Sequence, residues 1–429
     1  MKKNYYIISE ELQQGVHLVY NVFSNIFLLL NHEKYNLFCK ECEEIEKEAP
    51  DFFQQLLDEH FIIDDDYDEI AAIKYRIQQL RFESSMYHLM VNTTLDCNLN
   101  CWYCYENRIK GSHLEPETIE IIKKNIALEY QSARYNTLKV SFFGGEPFLD
   151  FDGLKAVLDF ARVFTEEHDI ELIADFTTNA TLICQEHIDY LKDLRCHFQI
   201  TLDGDREVHN KVKKDHNKSD TYQKTLNALK MINEQIPNRW LAVRINFDNR
   251  TLGKIDEILN DIDFLNRKST YVILKKVWQV DTEKVNKSLM CEAMQKIMDK
   301  KFQLDYYVMP KGCVCFAERK RMTLFNYDGK VFKCSTISSF DDENALGKVD
   351  EQTGFVSWDE KKTPYWYSDM MQKECEKCKW LPACLGPCNR QLMAHKGKFI
   401  CTFDSMNLDK KEYLVYLFKY NMLLKEIYK

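Results

Sequence analysis

The chain has no long apolar run, few residues that interrupt regular structure and no excess of positive charge. No apolar stretch approaches the roughly 18 residues of a membrane span, and the start, M-K-K-N-Y-Y-I-I-S-E-E, lacks the apolar core of an export signal. Only 13 glycines and 8 prolines occur in 429 residues, so long flexible linkers are not expected. The formal net charge of −9 argues against a nucleic-acid enzyme. A cytoplasmic protein without membrane or nucleic-acid partners is expected.

The length and composition predict a globular protein of two or three domains. Hydrophobic residues make up 45% of the chain and charged residues 29%, which is typical of a chain that buries a core. Sixteen cysteines occur without an export signal. Because disulfides are rare in a reducing compartment, these cysteines indicate metal ligation instead.

Three clustered cysteines form the strongest local signal. Cys97, Cys101 and Cys104 have the spacing C-x3-C-x2-C and follow an apolar, β-branched run at Tyr87–Leu95. A closed zinc or iron–sulfur site uses four protein ligands, so three cysteines around a 4Fe-4S cluster leave one iron open to a substrate or cofactor. Zinc and three buried, inert thiols are the alternatives. Both fit less well, because no fourth ligand lies nearby and polar residues surround the cysteines.

From Tyr87 onward the chain alternates apolar runs with amphipathic stretches. This βαβ succession predicts an α/β fold with a parallel sheet, in which ligands bind at the carboxyl ends of the strands. The predicted strands are Tyr87–Leu95, Leu138–Phe143, Glu171–Thr177, Phe198–Leu202, Leu241–Phe247 and Tyr271–Val280. The predicted helices are Pro116–Arg134, Leu154–Glu167, Gln185–Leu194, Thr221–Gln235 and Leu252–Leu265.

The cysteine motif C-N-L-N-C-W-Y-C, with an aromatic residue before its last cysteine, resembles the signature of radical S-adenosylmethionine (SAM) enzymes. In that family the open iron binds the amino and carboxylate groups of SAM. The reduced cluster then cleaves SAM to methionine and a 5′-deoxyadenosyl radical. The resemblance implies catalytic and cluster-ligating roles for Cys97, Cys101 and Cys104. It also implies a partial (β/α)6 TIM-like barrel over residues 86–285.

Polar motifs at the predicted strand ends match the SAM-binding positions of that family. A bare Gly-Gly turn is commonplace, but G-G-E-P at the end of the second strand resembles the family's GGE motif, which contacts the amino group of SAM. Lys213 stands where the family usually has arginine, and it is left out of the predicted site because lysine lacks the guanidinium fork. The implied SAM-binding residues are Gly144, Gly145, Glu146, Asn179, Thr201, Asp203 and Arg244.

The cysteines of the C-terminal third resemble the SPASM extension, which typically holds two auxiliary 4Fe-4S clusters. By that resemblance, the outer cluster is bound by Cys375, Cys378, Cys384 and Cys401. The inner cluster is bound by Cys315, Cys334 and Cys388. Its fourth ligand is Cys313, Cys291 or none, the last leaving an open iron. Eight cysteines also suffice for two structural zinc sites of four thiolates each. A D-G turn between apolar flanks predicts a hairpin at Met322–Cys334.

Residues 1–85 predict a separate winged-helix-like α+β module. It resembles the N-terminal extension of peptide-modifying radical SAM enzymes, which binds a leader peptide by adding it to a sheet edge. A cap that only packs on the barrel is the alternative. The predicted elements are two short strands around Asn21 to Asn25, helices Glu33–Glu48 and Asp51–Glu59, a short strand in F-I-I and a helix at Ile70–Arg81.

The predicted layout is therefore residues 1–85 as the recognition module, 86–285 as the barrel, 286–405 as the SPASM domain and 406–429 as a C-terminal helix. The resemblance implies three 4Fe-4S clusters, SAM, and a low-potential electron donor such as flavodoxin or ferredoxin. The expected activity is oxidative crosslinking, thioether or carbon–carbon, of a ribosomally made precursor peptide. A sulfatase-type maturase that forms formylglycine and a non-catalytic peptide-binding scaffold are the alternatives. Ser335 stands where some maturases have an aspartate that acts as a base. This difference disfavours the sulfatase-type maturase.

Overall fold

A computed structural model describes residues 1–277, 285–305, 312–337, 339–396, 398–405 and 409–429. The N-terminal segment forms a three-stranded antiparallel sheet of order β2-β3-β4, a β1-β5 pair and four helices. Its elements are β1 Lys2–Lys3, β2 Ile7–Gln13, β3 Val16–Asn21, β4 Ile26–Asn31, α1 His32–Phe38, α2 Cys42–Glu48, α3 Pro50–Asp58, β5 Ile62–Ile63 and α4 Glu69–Phe82.

The hairpin predicted around Asn21 to Asn25 is confirmed as β3-β4, and the prediction missed β2. That strand carries S-E-E and alternates between half-buried and exposed positions, so it has no apolar run to reveal it. The single helix predicted at Glu33–Glu48 is wrong, because the chain breaks between α1 and α2. One face of the sheet packs on these helices through a core that includes Val19, Leu30 and Phe53.

The central part of the chain forms a large, mostly parallel sheet with helices between its strands, which confirms the α/β prediction. Its elements are β6 Met86–Thr94, α5 Pro116–Ala133, β7 Thr137–Gly144, α6 Phe151–His168, β8 Glu171–Thr178, α7 Gln185–Leu191, β9 Arg195–Thr201, α8 Arg206–Val212, α9 Thr221–Gln235, β10 Arg239–Phe247, α10 Asn249–Gly253, α11 Ile255–Asp261, β11 Thr270–Lys276, α12 Lys287–Asp299 and β12 Gln303–Asp305. The helix predicted at Leu252–Leu265 is instead two short helices, α10 and α11. Of the last predicted strand, residues 278–280 lie outside the described chain.

The remaining elements are strands that extend this sheet, followed by helices. They are β13 Met322–Phe325, β14 Val331–Phe332, β15 Gly347–Val349, β16 Val356–Trp358, α13 Lys373–Glu376, α14 Leu381–Cys384, α15 Asn389–His395 and α16 Lys410–Ile427. The sheet order is β12-β11-β10-β9-β8-β7-β6-β13-β14-β15-β16, parallel from β12 to β13. The predicted hairpin is confirmed by the β13-β14 pairing, with Gly329 at φ 78° in its turn. Across the described residues, no helix is both long and apolar enough to span a membrane.

The chain divides into two compact units. The first combines Met1–Arg81 with Tyr307–Cys315 and Tyr367–Met422, and the second contains Phe82–Tyr306, Phe316–Trp366 and Leu423–Lys429. The large sheet belongs entirely to the second unit. The first unit is therefore built from segments that lie far apart in the sequence.

Within the first unit, the second face of the N-terminal sheet packs on the cysteine-rich segment. The ring of Tyr20 lies 5.9 Å from that of Trp380, and Phe27 lies 5.5 Å from Phe418. The Tyr5 hydroxyl donates a 2.9 Å hydrogen bond to the carbonyl of Lys377. These contacts attach the N-terminal module to the loop between Cys375 and Cys378, to Trp380 and to α16.

Candidate active site

A pocket opens at the carboxyl ends of the parallel strands, where the sequence places the ligand site. Its wall includes the cysteine loop that follows β6, the glycine pair at the end of β7 and residues from the ends of β8 to β11. Cys97 and Cys101 are half-buried, and Cys104 is exposed. The pocket wall thus combines the three cysteines with five of the predicted SAM-binding residues, while Glu146 and Asp203 are buried behind it.

The glycine pair is required by the close approach of two backbone segments. A Cβ on Gly144, which has φ 110°, would lie 2.1 Å from the Thr94 carbonyl oxygen. A Cβ on Gly145 would lie 1.9 Å from the carbonyl oxygen of Asp96. The Gly145 amide donates to Thr94 O at 2.9 Å, and the Glu146 amide donates to Asp96 O at 2.9 Å. The pair therefore holds the base of the cysteine loop against the end of β7.

The Glu146 carboxylate joins the ends of β7 and β8. It is buried and accepts hydrogen bonds from the Thr178 hydroxyl at 2.6 Å and from the Asn179 amide at 2.8 Å. Burial raises the pKa of this carboxyl, and the hydrogen bonds oppose the rise. Both side-chain oxygens are thus occupied by protein donors, which leaves the backbone of the GGE segment to face the pocket.

Asn179 links the end of β8 to the cysteine loop. Its side-chain amide donates to the Asn98 side-chain oxygen at 3.0 Å and contacts Cys97 Sγ at 3.8 Å. The next residue, Ala180, has φ 62°, in the left-handed region that glycine adopts most easily. Ala180 therefore has a backbone conformation that is unfavourable for a residue with a Cβ.

Asp203 is the centre of a buried polar network. It accepts hydrogen bonds from the Tyr103 hydroxyl and, at 3.0 Å, from the Asn246 side chain. The Asp203 amide donates to His209 Nδ1 at 3.2 Å. Arg244, half-buried on β10, donates from Nε to the Asn246 side-chain oxygen at 3.0 Å. Because Asp203 is 2% exposed, its carboxylate fixes the cysteine loop to β9 and β10 from within the protein.

Lys213 lies in the pocket wall, although the sequence prediction left it out of the site. It is 4% exposed, and its Nζ lies 3.8 Å from Asp203 Oδ2. Burial by itself lowers the pKa of Lys213, but the surrounding acidic groups outweigh it and raise the pKa above its usual value. These groups are Asp203, Cys101, Cys97 and Glu146. This position thus supplies a buried positive charge to the pocket.

The cysteine loop has the donor chemistry of an iron–sulfur site. Burial, followed by the charge of Glu146, raises the pKa of Cys97 to about 12, so a bound metal is needed to keep this thiolate. The Leu99 amide donates to Cys97 Sγ at 3.5 Å, a contact that favours the thiolate. Among the described residues, no three His, Cys, Asp or Glu side chains converge on a single metal ion. A 4Fe-4S cluster does not require this, because each thiolate binds a different iron.

The four cysteines of the outer set are neighbours within the first unit. Burial raises the pKa of Cys375 to about 11, and the nearby thiols of Cys384, Cys378 and Cys401 add to the rise. Side-chain nitrogens of Gln372 and Lys410 lie 3.8 Å from the sulfurs of Cys375 and Cys378. Four adjacent cysteines with such donors fit a fully ligated cluster.

The cysteines of the inner set are distributed over both units. Cys315 and Cys388 are half-buried in the first unit, and Cys334 is buried in the second, directly after the β13-β14 hairpin. Of the two candidates for the fourth ligand, Cys313 is exposed and Cys291 is half-buried on α12. This ligand set stays a prediction.

The fold and the site define an α/β enzyme with a three-cysteine loop at the carboxyl ends of a parallel sheet. Residues 91–262 match the sequence profile of the Radical SAM superfamily. This match identifies residues 91–262 as a Radical SAM domain, and members of that superfamily use a 4Fe-4S cluster and SAM.

Comparisons with individual proteins agree with this assignment. An uncharacterized protein of Methanocaldococcus jannaschii is 25% identical over 275 residues, which cover 62% of this chain and 90% of that protein. A cysteine-type anaerobic sulfatase-maturating enzyme of Clostridium novyi is 22% identical over 342 residues, which cover 71% of this chain and 88% of that enzyme.

The structure of anSMEcpe with bound AdoMet superposes with a TM-score of 0.61 at 18% identity, covering 80% of this chain and 95% of that one. Another structure of anSMEcpe contains AdoMet and the Cp18Cys peptide. It has a TM-score of 0.58 at 17% identity and covers 80% of this chain and 99% of that one. At these identities the structural likeness shows the fold alone.

Proposed function

We propose that the chain is a radical SAM maturase that oxidatively crosslinks a ribosomally made precursor peptide through a thioether or carbon–carbon bond. The observation that carries the proposal is an unprotected strand edge in a chain whose parallel strands end at a pocket lined by a three-cysteine loop. The peptide bound in the anSMEcpe structure supports a peptide substrate for this fold. In this proposal the parallel sheet over residues 86–285 is the partial (β/α)6 barrel, and residues 286–405 are the SPASM domain.

The proposed roles of the pocket residues follow from their contacts. Cys97, Cys101 and Cys104 would hold the 4Fe-4S cluster, which with SAM supplies the 5′-deoxyadenosyl radical that removes a substrate hydrogen atom. Lys213 and Arg244 give the wall positive charge that suits the carboxylate of SAM. The backbone of Gly144, Gly145 and Glu146, together with Asn179 and Thr201, would complete the polar contacts. Asp203 would orient Tyr103 and Lys213 through the network described above.

Strand β4 is the proposed edge for the leader peptide. In the described chain it pairs only with β3, on one side. Its sequence, I-F-L-L-L-N, has no charge, and Leu29 is 52% exposed on it. The opposite edge strand, β2, carries Glu10 and Glu11, which protect an edge from pairing. An extended peptide could therefore add to β4 as a fourth strand.

A substitution on β4 tests this role better than removing residues 1–85, because removal would expose Trp380 and Phe418. We expect Leu29→Asp to weaken binding of a co-expressed candidate precursor peptide by about tenfold or more, since it puts a charge on the docking edge. Fluorescence anisotropy with a labelled peptide measures this. Tyr75→Asp is the control, because Tyr75 is 66% exposed on a helix and offers no edge. Equal affinities of both variants and the parent would rule out β4 as the docking strand.

The two C-terminal clusters would supply an acceptor for the electron released when the substrate radical is oxidised. Anaerobically reconstituted protein should then contain roughly twelve iron atoms, and Cys375→Ala should lose about four of them. Because Cys375 lies outside the barrel pocket, this variant should still form 5′-deoxyadenosine without peptide. Iron analysis and chromatography of the reaction measure the two quantities. A full iron content in Cys375→Ala, or zinc in place of iron, would reject the outer cluster.

A sulfatase-type maturase is the second candidate, favoured by the similarity to the Clostridium novyi enzyme. Mass spectrometry of the modified substrate separates the two. A crosslinked peptide keeps its sulfur and loses two hydrogens, whereas a cysteine converted to formylglycine loses its sulfur. Detection of the second product on a sulfatase-derived peptide would replace the proposed function.

A further inference from the structure

The strand registers place the pocket residues at two levels of the parallel sheet. Thr201 on β9 is paired with Arg244 on β10, and Asn179 follows the Thr178–Ile200 pair by one residue. These three predicted SAM-binding residues therefore lie side by side at the carboxyl ends of their strands, and we call them the upper level. The cysteine loop follows the carboxyl end of β6, at the same end of the sheet.

The second level lies two residues deeper on the same face. Its pocket-lining residues are Phe143, Thr177 and Gln199, which we call the pocket floor. Thr177 is paired with Gln199, and Phe143 follows the Phe142–Phe176 pair at the same height. Because a strand rises about 3.3 Å per residue, the pocket floor lies about 6.6 Å below the upper level. It is thus on the side of the upper level that faces away from the cysteine loop.

The sheet carries no charged residue at the height of the pocket floor on β7 to β11. Beyond Gln199 the register continues with Ala242 on β10 and Tyr271 on β11. The next charges below are those of Asp175 and Lys139, which already form an ion pair at 2.8 Å. A charged substrate group would find no partner at this depth, which is costly for a buried ion. The pocket floor therefore fits an uncharged side chain.

Thr177 and Gln199 offer hydrogen-bonding groups that the protein itself does not use. Within the described chain, neither side chain forms a hydrogen bond or an ion pair. Both residues are half-buried and line the pocket, so a ligand can reach them. The Gln199 carboxamide has donors and an acceptor, and the Thr177 hydroxyl both donates and accepts. Since polar groups that become buried are nearly always paired, a ligand that covers the floor must supply the partner.

Phe143 adds an apolar surface beside these polar groups. It is half-buried, and it packs against the core that contains Met90 and Leu324. An apolar wall next to donors and acceptors fits a side chain with an apolar body and a hydroxyl at its tip, as in tyrosine. A tryptophan indole only donates, and a serine is too short to reach the floor from the upper level.

We propose that the pocket floor is the subsite for a tyrosine side chain of the precursor peptide, with Thr177 and Gln199 binding its hydroxyl and Phe143 contacting its ring. The inference rests on the proposed function and specifies the residue on which it acts. The peptide backbone then stays near the carboxyl ends of the strands. The carbons next to that backbone lie at the upper level, among the SAM-binding residues, where the proposed function requires a substrate hydrogen atom.

The test measures binding to the full-length reconstituted protein with SAM and without reductant, so that no turnover occurs. The probes are N-acetyl-tyrosine-N-methylamide and its phenylalanine analogue, and saturation-transfer NMR gives their affinities. We expect the parent protein to bind the tyrosine amide about fivefold more tightly, because only its hydroxyl pairs with the floor. Thr177→Val and Gln199→Leu should each reduce this ratio, and the double variant should bring it to about one.

Gln131→Leu is the matched control, because Gln131 is exposed on α5 outside the pocket, and it should keep the parental ratio. Equal affinities of the two amides for the parent protein would overturn the subsite, and so would no binding of either. This comparison needs no variant, so it decides even if a substitution prevents folding. A parental ratio in the double variant would also overturn the subsite.

Equilibrium dialysis with labelled SAM separates the subsite from a role in SAM binding. If Thr177→Val and Gln199→Leu weakened SAM binding by the same factor as binding of the tyrosine amide, the floor would serve SAM and the proposed subsite would be rejected. The proposed function fails separately, if dithionite and SAM give no 5′-deoxyadenosine from the parent protein.

Discussion

Replacing Cys97, Cys101 and Cys104 together by alanine should abolish formation of 5′-deoxyadenosine. The physical reason is that the pocket has no other thiols that could ligate iron there, in the part of the chain that the structure describes. The variant should also lose about four iron atoms, while the C-terminal cysteines keep theirs. Chromatography of reactions with dithionite and SAM measures the first effect, and iron analysis measures the second.

Cys184→Ala is the matched control for this experiment, because Cys184 is an exposed thiol of the same unit outside the pocket. It should keep both the iron and the activity of the parent protein. The triple variant should retain parental far-ultraviolet circular dichroism, since the loop is anchored through backbone contacts of Thr94 and Asp96. Persistent SAM cleavage in the triple variant would refute the assignment of the radical-generating site.

Gly145→Ala should be the most damaging single substitution outside the cysteines. The new Cβ would lie 1.9 Å from the Asp96 carbonyl oxygen and 2.5 Å from its carbon, both backbone atoms that no side-chain rotation can move. The base of the cysteine loop must therefore separate from β7. We expect a loss of about 3 kcal/mol or more of stability and incomplete iron loading at the loop. Urea denaturation under anaerobic conditions and iron analysis measure these effects.

Gly253→Ala provides the comparison, because no atom lies within 4 Å of its ideal Cβ. It lies in helix α10, where alanine is favoured over glycine by up to about 1 kcal/mol, so this variant should match or exceed the parental stability. If Gly145→Ala had parental stability and iron content, the close approach of the two backbones would not be needed by the site.

The parallel sheet was predictable because its strands are apolar and buried. Apolar runs such as L-K-V-S-F-F, in strand β7, are typical of strands buried inside a sheet. Strand β2 was missed because half of its side chains face solvent and two are glutamates. The carboxyl-end rule correctly placed the cysteine loop and the glycine pair at one pocket, since it depends on topology alone.

Two aspects of the site depend on tertiary contacts and could not be predicted. The glycine pair was attributed to the approach of a ligand, whereas its nearest neighbours are Thr94 and Asp96 of the protein itself. Lys213 was judged by its hydrogen-bonding geometry, and only the fold shows that it is buried beside Asp203. The packing of Tyr20 on Trp380 joins residues 360 positions apart, which no local pattern reveals.

The first unit joins segments that are far apart in the chain, which has a consequence for biosynthesis. The N-terminal sheet leaves the ribosome well before its partners around Trp380 and Phe418, which follow only after more than 300 further residues. At about 5–20 residues per second, Tyr20 and Phe27 stay uncovered for some tens of seconds. Nascent chains that stop early should therefore aggregate or recruit chaperones. The outer cysteines can receive their metal in the native arrangement only after Cys401 has left the ribosome.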